Sequence, residues 1–222
     1  MKDQRDIRDR IVVAIMPHVV FDGWSRASLL AAAADAGFDA DSATNAFPGG
    51  AADMVEHFFD LGDRRMLAEL EGQEMRDLPP RQRLVLAIRT RFGQFGGDRE
   101  AVRRALSVLA LPANALTGLR VTYRTADAVW HGIGDEATDF SYYTKRVALA
   151  GVHSAALLFW LGDGSEDSAE TWDFLDRRIG DILRLGKLRE DIGRRFAYLP
   201  TPSRLFARSR GNGRGRRAEF TG

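Results

Sequence analysis

The chain has 222 residues and no cysteine, which excludes disulfides, thiol nucleophiles and zinc–thiolate sites. Apolar residues make up 45% of it, enough for one core of ordinary size, so wholesale disorder is excluded as well. The net charge of +1 hides an uneven spread: six arginines against the single acid Glu219 follow position 200, above a slightly acidic body. A basic tail of that kind points to an anionic surface as partner.

Apolar residues recur at helical spacing almost throughout, with no convincing alternation of period two, so the predicted class is all-α with nine or ten helices. The first spans roughly 4–20, with Ile7, Ile11, Ile15 and Val19 in its stripe. Ser25 is placed to cap a second over 25–36, and Gly37 to end it. A third, short helix covers 39–46 and stops before Phe47-Pro48-Gly49-Gly50. A long fourth follows over 51–72. Pro79-Pro80 opens a fifth to about 92, where a first-turn proline is tolerated. Helices over 98–110, 113–132 and 139–161 come next. Ser165, Glu166 and Asp167 then start a last one over 166–187, with Trp172, Ile179 and Ile182 in its stripe. The pattern decays after Gly193, and the Gly-Arg stretch after 210 reads as disordered. The longest apolar run, 147–161, is too short to cross a bilayer.

The chemistry of catalysis is not written in this pattern. No nucleophile stands beside a base, and the glycine pairs at 132/134 and 162/164 follow helices rather than strands. Asp53 with His57, and Asp127 with His131, have metal-binding spacing but lack a third ligand, so no metal and no cofactor is expected.

Three short helices with a corner at Ala36-Gly37-Phe38, then a long helical body closed by a helix pair, resemble the TetR-type regulator fold. That resemblance implies a ligand-binding body and a homodimer through a bundle of the final helices. It makes a ligand-responsive transcription regulator the alternative reading. Against this, the third helix offers Asp39 and Asp41 and no basic side chain, so no specific nucleic acid is expected there.

A narrower resemblance rests on Trp130, Gly134-Asp135, Thr138-Asp139-Phe140 and Tyr143-Thr144-Lys145-Arg146 through Val152, flanked by Gly23-Trp24 and the Thr171–Ile179 segment. These residues resemble the ninth-numbered member of the COQ family, the accessory lipid-binding proteins of ubiquinone biosynthesis. The chain departs from the family's pattern at Tyr142, where tryptophan is typical, and at His153, where tyrosine is usual.

The resemblance implies a non-enzymatic protein that binds isoprenoid quinone precursors or phospholipid and presents them to the demethoxyubiquinone hydroxylase. It implies a partner-facing patch at Tyr142 and Tyr143, and a lipid headgroup contact at Arg146. Helical spacing puts Tyr142 and Arg146 on an exposed face and Tyr143 nearer the core. An ion pair of Arg146 with Asp135 or Asp139 is the competing reading.

Phe58, Phe59, Phe95, Trp130 and Phe159 are candidates to line the lipid cavity, though each also fits an ordinary core. Arg204, Leu205, Phe206 and Arg208 form a short amphipathic insert for an anionic membrane. The expected division is a helix-turn-helix-like unit over 1–50, a lipid-binding and dimerising body over 51–190, and a docking tail over 191–222. The first nine residues are too charged for a signal peptide and too acidic for an organelle presequence. The expected location is therefore a bacterial cytoplasm, peripheral on its membrane.

Overall fold

The computed structural model of the protein describes residues 2–75, 77–135 and 140–197, with side chains described over 4–75, 77–135 and 142–184. These residues form ten α-helices and two short 3-10 turns, with no strand among them. Met1–Ile182 make one compact unit, and Leu183–Gly222 are grouped apart from it. No single helix among the described residues is long and apolar enough to cross a membrane.

The predicted first helix is two helices, α1 (Lys2–Ala14) and α2 (Met16–Asp22). Pro17 causes the break, because it lacks the N–H that an uninterrupted helix needs at that position. Ser25 caps α3 (Arg26–Asp35) by accepting the Ser28 N–H at 3.2 Å. Asp39 caps α4 (Ala40–Ala46) through the Ser42 N–H at 2.7 Å. Ile11, Ile15, Leu29, Ala32, Ala43 and Phe47 bury the faces that hold α1, α3 and α4 together. This is the expected helix-turn-helix arrangement, and Asp41 stands exposed on its last helix.

Helix α5 (Gly50–Glu71) is the axis of the body and touches α1, α6, α7 and α8. Its apolar residues include Met54, Val55, Phe58, Phe59, Leu61, Met66 and Leu70, all buried. Around it lie α6 (Pro80–Gly93), α7 (Arg99–Leu109) and α8 (Ala115–Gly132), the last entered through a 3-10 turn at Pro112–Asn114. Helix α9 (Phe140–Gly162) packs on α8.

The corner after α9 differs from expectation. A 3-10 turn, Glu166–Ser168, precedes α10 (Ala169–Ala197), and the carboxylate of Asp163 organises it. Asp163 accepts the backbone N–H of Ser165 at 2.8 Å and of Thr171 at 2.9 Å, as well as both hydroxyls. Hydrogen bonds from Ser165 and Thr171 hold its carboxyl far below the usual carboxylate range.

The predicted stripe on the last helix is also used differently. Ile179 and Leu175 are fully buried within the unit, and Trp172 packs on Phe92 of α6. Apolar groups left outward near the C-terminal end of α9 include Leu158, 65% exposed, and Phe159, 39% exposed and stacked on Phe174 at 5.0 Å.

Candidate functional site

Two features near α8 and α9 concentrate the unusual chemistry. The first is a charged corner where the two helices meet. Helix α8 ends in a left-handed glycine, Gly134 at φ 79°, and the Asp135 N–H reaches back to the Trp130 carbonyl at 3.0 Å. That turn sets Asp135 beside α9. Asp127, two turns earlier on α8, stands beside it.

Both acids address Arg146 of α9. Its Nε donates to Asp127 at 2.5 Å, and Nη1 lies 3.7 Å from Asp135. The Tyr142 ring covers the guanidinium at 3.3 Å from its centroid, and the Tyr142 hydroxyl donates to Asp127 at 3.1 Å. That bond to a carboxylate raises the phenol pKa. Lys145 completes the corner, 2.8 Å from Asp135 and 5.3 Å from the Trp130 ring.

The geometry reverses the expected exposure of the tyrosines. Arg146 is only 3% exposed, because two carboxylates draw it inward, and Tyr142 at i−4 follows it to a half-buried position. Tyr143 therefore faces out, 65% exposed, with Val147 one turn on at 63%. Tyr142 and Tyr143 meet edge to face at 5.1 Å. Arg146 is thus engaged by protein carboxylates rather than presented at the surface. Of the two acids named for the competing ion pair, Asp135 takes part and Asp139 lies outside the described residues. Asp127 is the closer partner, and helical spacing did not single it out for Arg146.

The second feature is a cavity of about 300 Å³ walled by α7, α8 and α9, with Phe59 entering from α5. Leu106, Leu109, Val121 and Leu157 supply its apolar lining, and Thr125 and His153 its polar points. Thr125 donates to Asp63, which pairs in turn with the fully buried Arg91 at 2.6 Å. Burial raises the Asp63 carboxyl against the pull of Arg91. His153 is buried and meets Phe92 edge to face at 5.5 Å. Desolvation, with the Arg91 charge adding to it, pushes its imidazole down to about 3.

Of the five aromatic candidates, Phe59 lines this cavity. Phe58 and Phe95 line a smaller one of about 180 Å³ among α1, α5 and α6. Trp130 is buried beneath Lys145, and Phe159 stands on the outer side of α9; neither lines those two cavities. Periodicity finds burial but not the gaps between buried faces, so the α7 and α8 wall was not singled out.

The spaced acid–histidine pairs serve structure instead. Asp53 pairs with Arg8, His57 with Asp9, and Asp127 with Arg146. Among the described residues no three ligands converge on a metal position. The predicted membrane insert at Arg204, Leu205, Phe206 and Arg208 lies outside the described residues.

Comparison with known proteins finds a family similar to the segment that carries the charged corner. Residues 115–186, which hold α8 and α9, match the COQ9 family. The mitochondrial ubiquinone biosynthesis protein COQ9 of Rattus norvegicus is 30% identical over 200 residues, covering 86% of this chain and 63% of its own length. The Homo sapiens protein of the same name is 28% identical over 198 residues, at 86% and 62% coverage. That of Drosophila melanogaster is 30% identical over 185 residues, at 81% and 56%. The chain therefore spans less than two thirds of the length of these three relatives.

Among solved structures, a TetR transcriptional regulator from Nitrosomonas europaea superposes with a TM-score of 0.64 at 22% identity, covering 79% of this chain and 97% of that one. At that identity the likeness establishes the TetR-like fold alone. The relatives overturn the expected bacterial cytoplasmic location, since each is named as mitochondrial and comes from a eukaryote. The charge of nine leading residues was too weak a signal to set an address.

Proposed function

We propose that this chain, whose residues 115–186 belong to the COQ9 family, is a non-enzymatic lipid-binding accessory protein of ubiquinone biosynthesis. It would shelter an isoprenoid quinone precursor and present it, at a membrane surface, to the demethoxyubiquinone hydroxylase. The observation that carries this reading is the half-open cavity of about 300 Å³ between α7, α8 and α9, half of whose lining residues are aliphatic. Its size falls at the lower end of small-molecule sites. Each methylene moved from water into it gains about 0.8 kcal/mol.

The outer corner supports the presenting role. Tyr143 and Val147 make an exposed aromatic–aliphatic patch, and exposed aromatics of this kind are typical anchors of protein interfaces. The cluster of buried Arg146 with half-buried Asp127 and Tyr142 would fix the orientation of that patch. Leu158, Phe159 and Phe174 offer the apolar face from which a two-fold dimer would be built.

The reading is tested by a paired pull-down and liposome flotation. Tyr143→Lys is expected to weaken hydroxylase association at least tenfold with an unchanged melting temperature. Deleting 201–222 is expected to reduce flotation with anionic liposomes and leave association in solution intact. Normal hydroxylase binding by Tyr143→Lys would remove the patch assignment, and normal flotation of the truncated chain would move membrane docking elsewhere.

A further inference from the structure

The cavity walled by α7, α8 and α9 is not uniformly apolar. Of its three hydroxyl-bearing residues, Thr122 and Thr125 are satisfied within the protein, by the Gly118 carbonyl at 2.9 Å and by Asp63 at 3.0 Å, and Ser154 is half-exposed beside His153. His153 is different. It lines the same cavity, and its Nε2 is a buried polar atom with no partner among the described residues. A buried polar atom without a partner costs roughly as much as a lost hydrogen bond, so a ring that lines a cavity and carries one invites a polar group from a ligand.

The charge state of the site narrows the ligand. His153 meets the Phe92 ring edge to face, and Arg91, the cation whose charge bears on it, is paired with Asp63. The imidazole is kept neutral, with one N–H and one lone pair. A neutral ring can donate to a carbonyl oxygen or accept from a hydroxyl. It offers an anionic headgroup no compensating charge, and burying a carboxylate or phosphate there would be costly.

We propose that the cavity selects an uncharged amphiphile, whose apolar tail lies against Leu106, Val121 and Leu157 and whose hydroxyl or carbonyl oxygen pairs with the His153 imidazole. This rests on the lipid-carrier reading and adds to it the polar contact that decides which head is accepted. His153 acts here as a specificity residue.

Three ligands of matched shape provide the test: 4-hexylphenol, hexylbenzene and 4-hexylbenzoate. Affinities for the full chain are measured by calorimetry and normalised to octanol partition. The imidazole nitrogens are followed by ¹⁵N NMR, with four histidines to assign. The phenol is expected to bind about tenfold better than hexylbenzene after normalisation, to exceed the benzoate by more, and to shift the His153 nitrogen resonances. Hexylbenzene is expected to bind without shifting them.

His153→Phe should erase the phenol preference, and His153→Gln, which restores a donor and an acceptor, should recover part of it. An unchanged phenol-to-hexylbenzene ratio in His153→Phe, or unmoved wild-type resonances at saturation, would overturn the assignment while leaving the carrier reading standing. Failure of all three ligands to bind the wild-type chain would overturn both.

Discussion

Nη1 of Arg91 lies 2.6 Å from the point that a Cβ on Gly62 would occupy, with Cζ at 2.7 Å and Nη2 at 2.8 Å. Glycine in the middle of α5 thus makes room for a fully buried guanidinium from α6, held by Asp63 and the Phe59 carbonyl. In an open helix, Gly→Ala stabilises by roughly 1 kcal/mol. Here Gly62→Ala is expected to destabilise by about 3 kcal/mol or more, because it drives a buried charge off its partner. Urea unfolding checks the sign, and a stabilised variant would contradict this packing.

The corner at Arg146 predicts a non-conservative outcome for a nominally conservative change. Arg146 addresses two carboxylates at once and sets its guanidinium carbon 3.3 Å from the Tyr142 ring centroid. Lysine presents a point charge without the planar fork. Arg146→Lys should therefore cost about 1–2 kcal/mol in a urea titration. It should also shift the Tyr142 ring resonances relative to wild type. Wild-type stability with unshifted resonances would mean that the cluster does not hold the patch in place.

His153 gives the chain a specific acid sensitivity. Its folded-state pKa, about 3, lies below the ordinary value of 6.5. The unfolded chain accepts a proton that the folded chain refuses. The stability held by the neutral ring is intact above pH 6.5 and drains away as the pH falls toward 3. The rate is at most about 1.4 kcal/mol per pH unit. His153→Phe should flatten the loss between pH 6 and 4 by that share, measured as urea midpoints against wild type. An equally steep acid limb in both proteins would contradict a neutral buried His153.

The fold class was legible because it rests on local signals. Ser25 caps the helix assigned to it, and α4, which carries Asp41, stands where its pattern put it. Pro17 was equally visible, and its break in the first helix follows from the missing N–H. The α9–α10 corner was harder, since Asp163 acts across eight residues to reach Thr171.

The site was legible only in outline. The segment carrying Tyr142, Tyr143 and Arg146 was singled out. Which tyrosine faces solvent depends on Asp127 and Asp135 pulling Arg146 inward, a tertiary effect that helical spacing does not contain. The cavity wall was missed for the same reason: helical spacing does not show the gap that Leu106 and Val121 line once α7 and α8 are placed against each other.

Native mass spectrometry of freshly purified protein, followed by extraction of any released adduct, tests the central claim most directly. The account predicts a lipid adduct that survives desalting and is identified on extraction as an uncharged isoprenoid. Gas-phase activation should release it, returning the 24.7 kDa chain mass. A protein that runs only at its bare mass, takes up no isoprenoid quinone when incubated with one, and yields no lipid above background would contradict the account.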